Sequence, residues 1–114
     1  MALQVEKVGE VNWAGLAFRL YLEEPLSSEA RERIRALIHA WYIVGAYGGF
    51  GGMLHFLSEV GEGDEAGRPV IEWWVDMGSA RPEALNTLIR CLETFEEVEQ
   101  IAFGRLVLGL PPTA

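Results

Sequence analysis

The chain has 114 residues, of which 17 are acidic and nine are basic, and its formal net charge is −8. This length is typical of one domain with its own hydrophobic core, so we expect a single α+β domain over residues 1–114. The negative charge repels nucleic-acid phosphates and anionic lipid headgroups, and we expect neither nucleic acid nor membrane as a partner. Cys91 is the only cysteine, and a chain without disulfides is typical of a cytoplasmic protein.

One uncharged segment, residues 36–57, challenges this expectation because it is long enough to span a bilayer. The segment contains five glycines between positions 45 and 52 and two histidines, His39 and His55. Both residue types are costly in a membrane-spanning helix. We therefore interpret the segment as a buried helix, a glycine turn and a strand, and expect a soluble protein.

The first long predicted strand covers residues 11–23, where apolar and mixed side chains alternate. Its apolar parity consists of Leu16, Phe18, Leu20 and Leu22. The segment before it is ambiguous, because Leu3, Val5 and Val8 are compatible with a short strand of their own and with an extension of the next one.

The first predicted helix begins at Ser27 or Ser28, because a serine side chain accepts hydrogen bonds from the free amides of the first turn. Its apolar residues recur at three- and four-residue spacing, which predicts a single stripe packed on a sheet. They are Ala30, Ile34, Leu37, Ile38, Trp41, Val44 and Gly45. The glycine-rich residues 48–52 end the helix, and a mobile lid over the sheet is an alternative role for this turn.

Two further strands follow over residues 53–60 and 70–77. The acidic, glycine-rich residues 61–67 between them predict a hairpin loop, too long for a tight turn. The strand over residues 70–77 has one wholly apolar parity and a second parity that combines Glu72, Trp74 and Asp76. If the apolar parities of both strands share a face, Phe56 opposes Val75 and His55 opposes Asp76.

A second helix is predicted with Ser79 as its cap and Pro82 in its first turn. Its apolar stripe consists of Leu85, Leu88, Ile89, Leu92 and Phe95. The period then returns to two over residues 98–108, which predicts the last strand. We place Ile101, Phe103, Arg105 and Val107 on the parity that faces away from the helices.

The order of elements is strand, helix, strand, strand, helix, strand. Two helices with one apolar stripe each can cover only one face of an antiparallel sheet. This order predicts a ferredoxin-like βαββαβ fold, with a four-stranded antiparallel sheet and both helices on one face. The fold hosts many unrelated functions and does not identify an activity.

The uncovered face of that sheet would carry many aromatic and aliphatic side chains, which monomers rarely leave in water. The candidate ligand or partner residues on it are Trp13, Arg19, Tyr21, His55, Glu59, Glu72, Trp74, Asp76, Phe103 and Arg105. Three explanations stay open: two copies press their sheets together as a homodimer, the face binds a small molecule, or it docks another protein. A basic protein partner would suit the acidic chain.

The functional alternative is a small enzyme of the dimeric α+β barrel type, in which Asp76 orients His55 as a general base. The sequence places no nucleophile beside this pair. We therefore favour a non-enzymatic binding domain in which His55 and Asp76 form a structural pair. The glycine-rich residues 48–52 lack the Lys and Ser/Thr of a phosphate-binding loop, and a metal site built on His55 with Glu59 or Asp76 would have at most three ligands. We therefore predict no catalytic residue, no cofactor and no metal.

Overall fold

A mixed β-sheet covered on one face by two helices forms the domain in the computed structural model, which describes residues 3–106 and residue 108. Its elements are β1 (Gln4–Val8), β2 (Leu16–Leu22), α1 (Ser28–Ala46), β3 (Phe56–Leu57), β4 (Gly61–Glu65), β5 (Arg68–Asp76), α2 (Pro82–Leu92) and β6 (Val98–Gly104). Within the described residues the sheet has six strands in the order β1-β6-β2-β5-β3, and β4 also pairs with β5. The predicted α+β class is confirmed.

The core lies between the helices and the apolar parities of β2 and β5, which the sequence alternation places on one side of the sheet. Phe18 opposes Trp73 in the β2–β5 ladder, and their rings stack with centroids 5.1 Å apart. Both side chains are fully buried. The buried helix residues that cover this layer are Ala30, Ile34, Ile38 and Trp41 of α1 and Ala84, Leu88 and Leu92 of α2.

The two helices begin differently. Ser27 caps α1, as predicted, and its hydroxyl accepts from the backbone N–H of Ala30 at 3.2 Å. Helix α2 starts at Pro82 and its N-cap residue is Arg81, whose side chain makes no capping hydrogen bond, so the predicted Ser79 cap is wrong. The Ser79 hydroxyl accepts from the backbone N–H of Met53 at 3.0 Å, so it fixes the glycine turn after α1 instead.

The predicted four-stranded antiparallel, ferredoxin-like sheet is wrong. Strand β1 is separate from β2 and pairs in parallel with β6, from Gln4 opposite Gln100 to Val8 opposite Gly104. It adds a parallel strand at the edge of the sheet. The sequence does not distinguish this strand from an extension of β2, because it is only five residues long and mostly polar. Two features that the ferredoxin-like topology implies are found: its first and third predicted strands, here β2 and β5, lie side by side, and both helices contribute to one core layer.

The predicted loop over residues 61–67 is also wrong, because most of it forms strand β4. Glu65 opposes Arg68, which leaves a two-residue turn of Ala66 and Gly67. Both have positive φ, 52° and 83°, as in the type I′ turn that suits the twist of a hairpin. The hairpin is therefore tight, and the acidic residues of β4 lie on the ladder with β5.

The register of β3 differs by one residue from the prediction. Phe56 opposes Asp76, and Leu57 opposes Val75. Because side chains alternate, this shift turns Phe56 to the uncovered face and Leu57 toward the core. Ser58 interrupts the edge here: its hydroxyl accepts from the Trp74 N–H at 2.8 Å.

Strand β6 has the opposite parity to the predicted one. Ile101 and Phe103 oppose Leu20 and Phe18, and both lie in the core beneath the helices. The strand ends at Gly104, whose φ is 124°, so the alternation does not continue to residue 108 as predicted. The predicted placement of Val107 lies outside the described residues.

Neither helix in the described part of the chain has the length and apolar character needed to cross a bilayer.

Candidate functional site

The face of the sheet opposite the helices is the candidate site, and we call it the sheet face. Cross-strand pairing places on it Ala17, Arg19, Tyr21, Phe56, Val70, Glu72, Trp74, Asp76, Gln100 and Ala102. Arg19 lies at its centre, opposite Ala102 of β6 on one side and opposite Glu72 of β5 on the other. The sheet face therefore has a polar centre and one aromatic corner.

Arg19 is the centre of the polar region. Its Nε lies 2.6 Å from Glu72 Oε2, and its Nη1 lies 2.7 Å from Glu65 Oε2. The Arg19 and Glu72 side chains are only 9% and 5% exposed. The Tyr21 hydroxyl accepts from Arg19 Nη1 and donates to Glu65 Oε2 at 3.1 Å, which closes the group.

Burial alone would lower the pKa of the Arg19 guanidinium. The hydrogen bonds with Tyr21 and Glu72 and the charges of Glu72 and Glu65 outweigh burial, and the pKa is raised. Arg19 is therefore charged at every physiological pH. Two carboxylates already engage it, so we assign it a structural role in holding β2, β4 and β5 together.

A second layer of polar contacts extends the network toward β6 and β1. The Arg68 guanidinium lies over the Tyr21 ring, 4.4 Å from its centroid, and its Nη2 pairs with Glu99 at 2.5 Å. Gln100 Nε2 donates to Glu6 Oε2 at 3.1 Å. Both sheet-face arginines are thus matched by carboxylates of the same chain.

The aromatic corner consists of His55, Phe56, Trp74 and Asp76. The rings of Phe56 and Trp74 lie 5.2 Å apart at an angle of 39°. Phe56 is 43% exposed, although a phenyl ring is usually buried. Asp76 lies directly opposite Phe56 in the ladder, so a carboxylate borders the exposed ring.

The side chains of the predicted His55–Asp76 pair lie near each other but do not form a hydrogen bond. His55 Nδ1 lies 3.9 Å from Asp76 Oδ2, beyond hydrogen-bonding distance. The His55 side chain is 60% exposed, and Asp76 Oδ1 accepts from the Gly78 N–H at 2.9 Å. Asp76 therefore caps a turn and does not hold the imidazole in a fixed orientation.

The remaining predicted site residues lie apart from this corner. Trp13 packs against the core, and its indole N–H donates to the Ala80 carbonyl at 2.9 Å. Phe103 lies under the helices, which corrects its predicted place on the sheet face. Glu59 is exposed between β3 and β4, and Arg105 follows β6, where its N–H donates to the Val8 carbonyl.

Three residues of the site were missed by the sequence analysis. The predicted register places Phe56 in the core, one residue away from the observed register, and Glu65 and Arg68 flank the turn of a hairpin where the sequence predicts a loop. Opposite charges on the two sides of a Gly-containing two-residue turn, Glu65 and Arg68 around Ala66 and Gly67, are a hairpin signal that could have placed the last two. Nothing in the sequence around Phe56 separates the two registers of β3.

No protein family and no curated protein matches this sequence. Among residues 3–106 and 108, no three His, Cys, Asp or Glu side chains converge in a way that could hold a metal ion. A cleft of about 610 Å³ lies elsewhere, between the start of β1 and the α2–β6 connection, and Glu23, Glu93, Glu96 and Glu99 line it. The aromatic corner is thus the part of the site whose chemistry points to a ligand: exposed π faces beside a carboxylate attract a cation.

Proposed function

We propose that the chain is a non-enzymatic interaction domain whose aromatic corner docks an arginine or lysine side chain of a partner protein. The observation that carries the proposal is the exposed Phe56 ring against Trp74 with Asp76 beside it. A cation over an aromatic face contributes about 0.5–1 kcal/mol at an exposed site, and more when water is excluded. Asp76 supplies the opposite charge.

The charge of the chain supports the same kind of partner. Its net charge of −8 attracts a basic surface over several ångströms and repels acidic ones, which favours encounter with a basic partner. The sheet-face arginines do not oppose this, because Arg19 and Arg68 are paired with Glu65, Glu72 and Glu99.

The enzyme alternative has less support in the geometry. A general base needs an oriented imidazole, and His55 is exposed and 3.9 Å from the nearer Asp76 oxygen. As further parts of the proposal, the chain self-associates and works in the cytoplasm, in keeping with its single cysteine. With Ile101 and Phe103 in the core, the sheet face has less apolar area to bury in a dimer than the sequence indicated.

A peptide titration followed by ¹⁵N NMR tests the docking proposal. The probes are an arginine-rich peptide and the same peptide with citrulline at each arginine, which keeps the shape and removes the charge. We expect the arginine peptide to shift the Trp74 indole N–H and the amides of β3. The citrulline peptide should bind much more weakly. The affinity of the arginine peptide should fall as the salt concentration is raised.

The variant Phe56→Ser should weaken binding of the arginine peptide about two- to fivefold, because it removes one cation–π face. Val5→Ser is the matched control, since Val5 is 41% exposed against 43% for Phe56 and lies on β1. Equal binding of both peptides, or shifts that map away from the aromatic corner, would contradict the proposal.

A further inference from the structure

Helix α1 carries a second apolar stripe on the side that faces away from the core. Ala36, Ala40, Ile43 and Tyr47 recur at spacings of four, three and four, which places them on one side of the helix and of its C-cap. Ile43 is 55% exposed and Tyr47 is 85% exposed. The core stripe lies on the other side, so the second half of α1 is apolar on both sides, which is typical of a helix buried between two partners.

The outward stripe is self-complementary in size. In an antiparallel pair of α1 helices related by a two-fold axis, Ala36 lies opposite Tyr47 of the second copy if the axis passes between positions 41 and 42. The same axis places Ala40 opposite Ile43 of the second copy. Each large side chain then meets a small one, so two helices can approach closely without leaving a void.

Charges at the two ends of the stripe complement one another in the same arrangement. Glu32 is exposed in the second turn of α1, and Arg81 is exposed next to the glycine turn that follows α1. The Arg81 N–H donates to the Gly51 carbonyl at 3.1 Å, which fixes Arg81 at this turn. Antiparallel packing brings Glu32 of one copy close to the glycine turn of the other copy. Arg81 lies at that turn, so the two opposite charges meet.

Both charges are available for such a contact. Within residues 3–106 and 108, neither Glu32 nor Arg81 takes part in an ion pair. The neighbouring arginines of α1 differ, since Arg33 pairs with Glu97 and Arg35 lies 3.7 Å from Glu62. A two-fold axis would form the Glu32–Arg81 contact twice.

We infer that the outward face of α1 is the self-association surface, and that its partner is a second copy of the chain packed antiparallel. This inference rests on the self-association in the proposed function and names where it occurs. One helix pair buries less than the roughly 1,200–2,000 Å² of a standard interface, which is typical of weak, reversible association. The aromatic corner stays free to bind a partner in the dimer.

Sedimentation of the full chain over a wide concentration range tests the surface. Ile43→Glu should raise the dimer dissociation constant at least about tenfold, because it places a carboxylate in the apolar contact. Val5→Glu and Phe56→Glu introduce the same charge at the exposed residues of β1 and of the sheet face, and both should dimerise like the parent chain. Circular dichroism checks that all three variants are folded.

A charge exchange tests the antiparallel geometry. Glu32→Arg and Arg81→Glu should each weaken the dimer, and the double variant should restore it, since the pair is re-formed with reversed signs. A parent chain that is monomeric at all concentrations would overturn both the self-association and this surface. A dimer that withstands Ile43→Glu and dissociates with Phe56→Glu would overturn the α1 surface alone, as would a double charge variant that is weaker than both single ones.

Discussion

Removing one partner of the Arg19–Glu72 pair should destabilise the domain far more than removing a surface ion pair. Their side chains are 9% and 5% exposed and meet at 2.6 Å. Arg19→Leu deprives the buried Glu72 carboxylate of this guanidinium, and breaking a buried pair from one side costs about 3–5 kcal/mol. That is a large fraction of the roughly 5–15 kcal/mol that stabilises a typical domain.

The double variant Arg19→Leu/Glu72→Leu should recover most of this loss. Replacing both charges with apolar side chains removes the desolvation penalty as well as the attraction, and the outcome of such replacements is often close to neutral. Glu65 then loses its ion pair as well, but its side chain is 46% exposed and remains hydrated. We therefore expect a coupling energy between Arg19 and Glu72 of several kcal/mol in a double-mutant cycle.

Urea unfolding followed by tryptophan fluorescence gives the free energy of unfolding of each variant by linear extrapolation. The control is the exposed pair Arg33–Glu97, with side chains 52% and 34% exposed, where Arg33→Leu should cost less than about 1 kcal/mol. If Arg19→Leu costs no more than Arg33→Leu, the Arg19 network does not hold the strands together in the way we describe.

Three further predictions concern the turns and the cap of α1, each measured as a change in the free energy of unfolding. Ala66→Asn should stabilise the domain by about 0.5–1 kcal/mol, because Asn tolerates the positive φ of the β4–β5 turn better than Ala does; no gain would argue against a type I′ turn. Gly52→Ala should destabilise the domain by more than about 2 kcal/mol, because a Cβ would collide with the Ser79 carbonyl oxygen. An unchanged free energy of unfolding would show that the turn can shift to accommodate the methyl group. Ser27→Ala should cost about 1 kcal/mol through loss of the Ala30 hydrogen bond, and Ser28→Ala, one residue on, should cost less.

The central strands could be predicted because each has one wholly apolar parity under the helices. This constraint alone placed Arg19, Tyr21, Glu72, Trp74 and Asp76 on the sheet face, and the strand pairing in the structure puts them on that face. The start of α1 was predicted from a different signal, the capping serine, and its end from the glycine run that follows. The periodicity of apolar residues was sufficient to predict which side chains face the core wherever one face of an element is buried and the other is polar.

Strands β6, β3 and β4 could not be predicted in the same way. In β6 each parity combines apolar residues with one polar side chain, Glu99 or Gln100, so the alternation does not show which parity is buried, and the predicted face of Ile101 and Phe103 is wrong. In β3 the strand is two residues long, so its register depends on Ser58 at the interrupted edge rather than on a pattern. Strand β4 is a polar, glycine-containing segment that tertiary pairing turns into a strand.

The parallel pairing of β1 with β6 also has a consequence for the order in which the domain folds. Gln100 of β6 and Glu6 of β1, which share a hydrogen bond, are 94 residues apart in the chain. A ribosome makes β1 before every other described element, yet its place in the sheet exists only after β6 has been made. Strand β1 therefore cannot dock before β6 has been made. During that interval Glu6 and Lys7 in the middle of β1 discourage its pairing with another nascent chain.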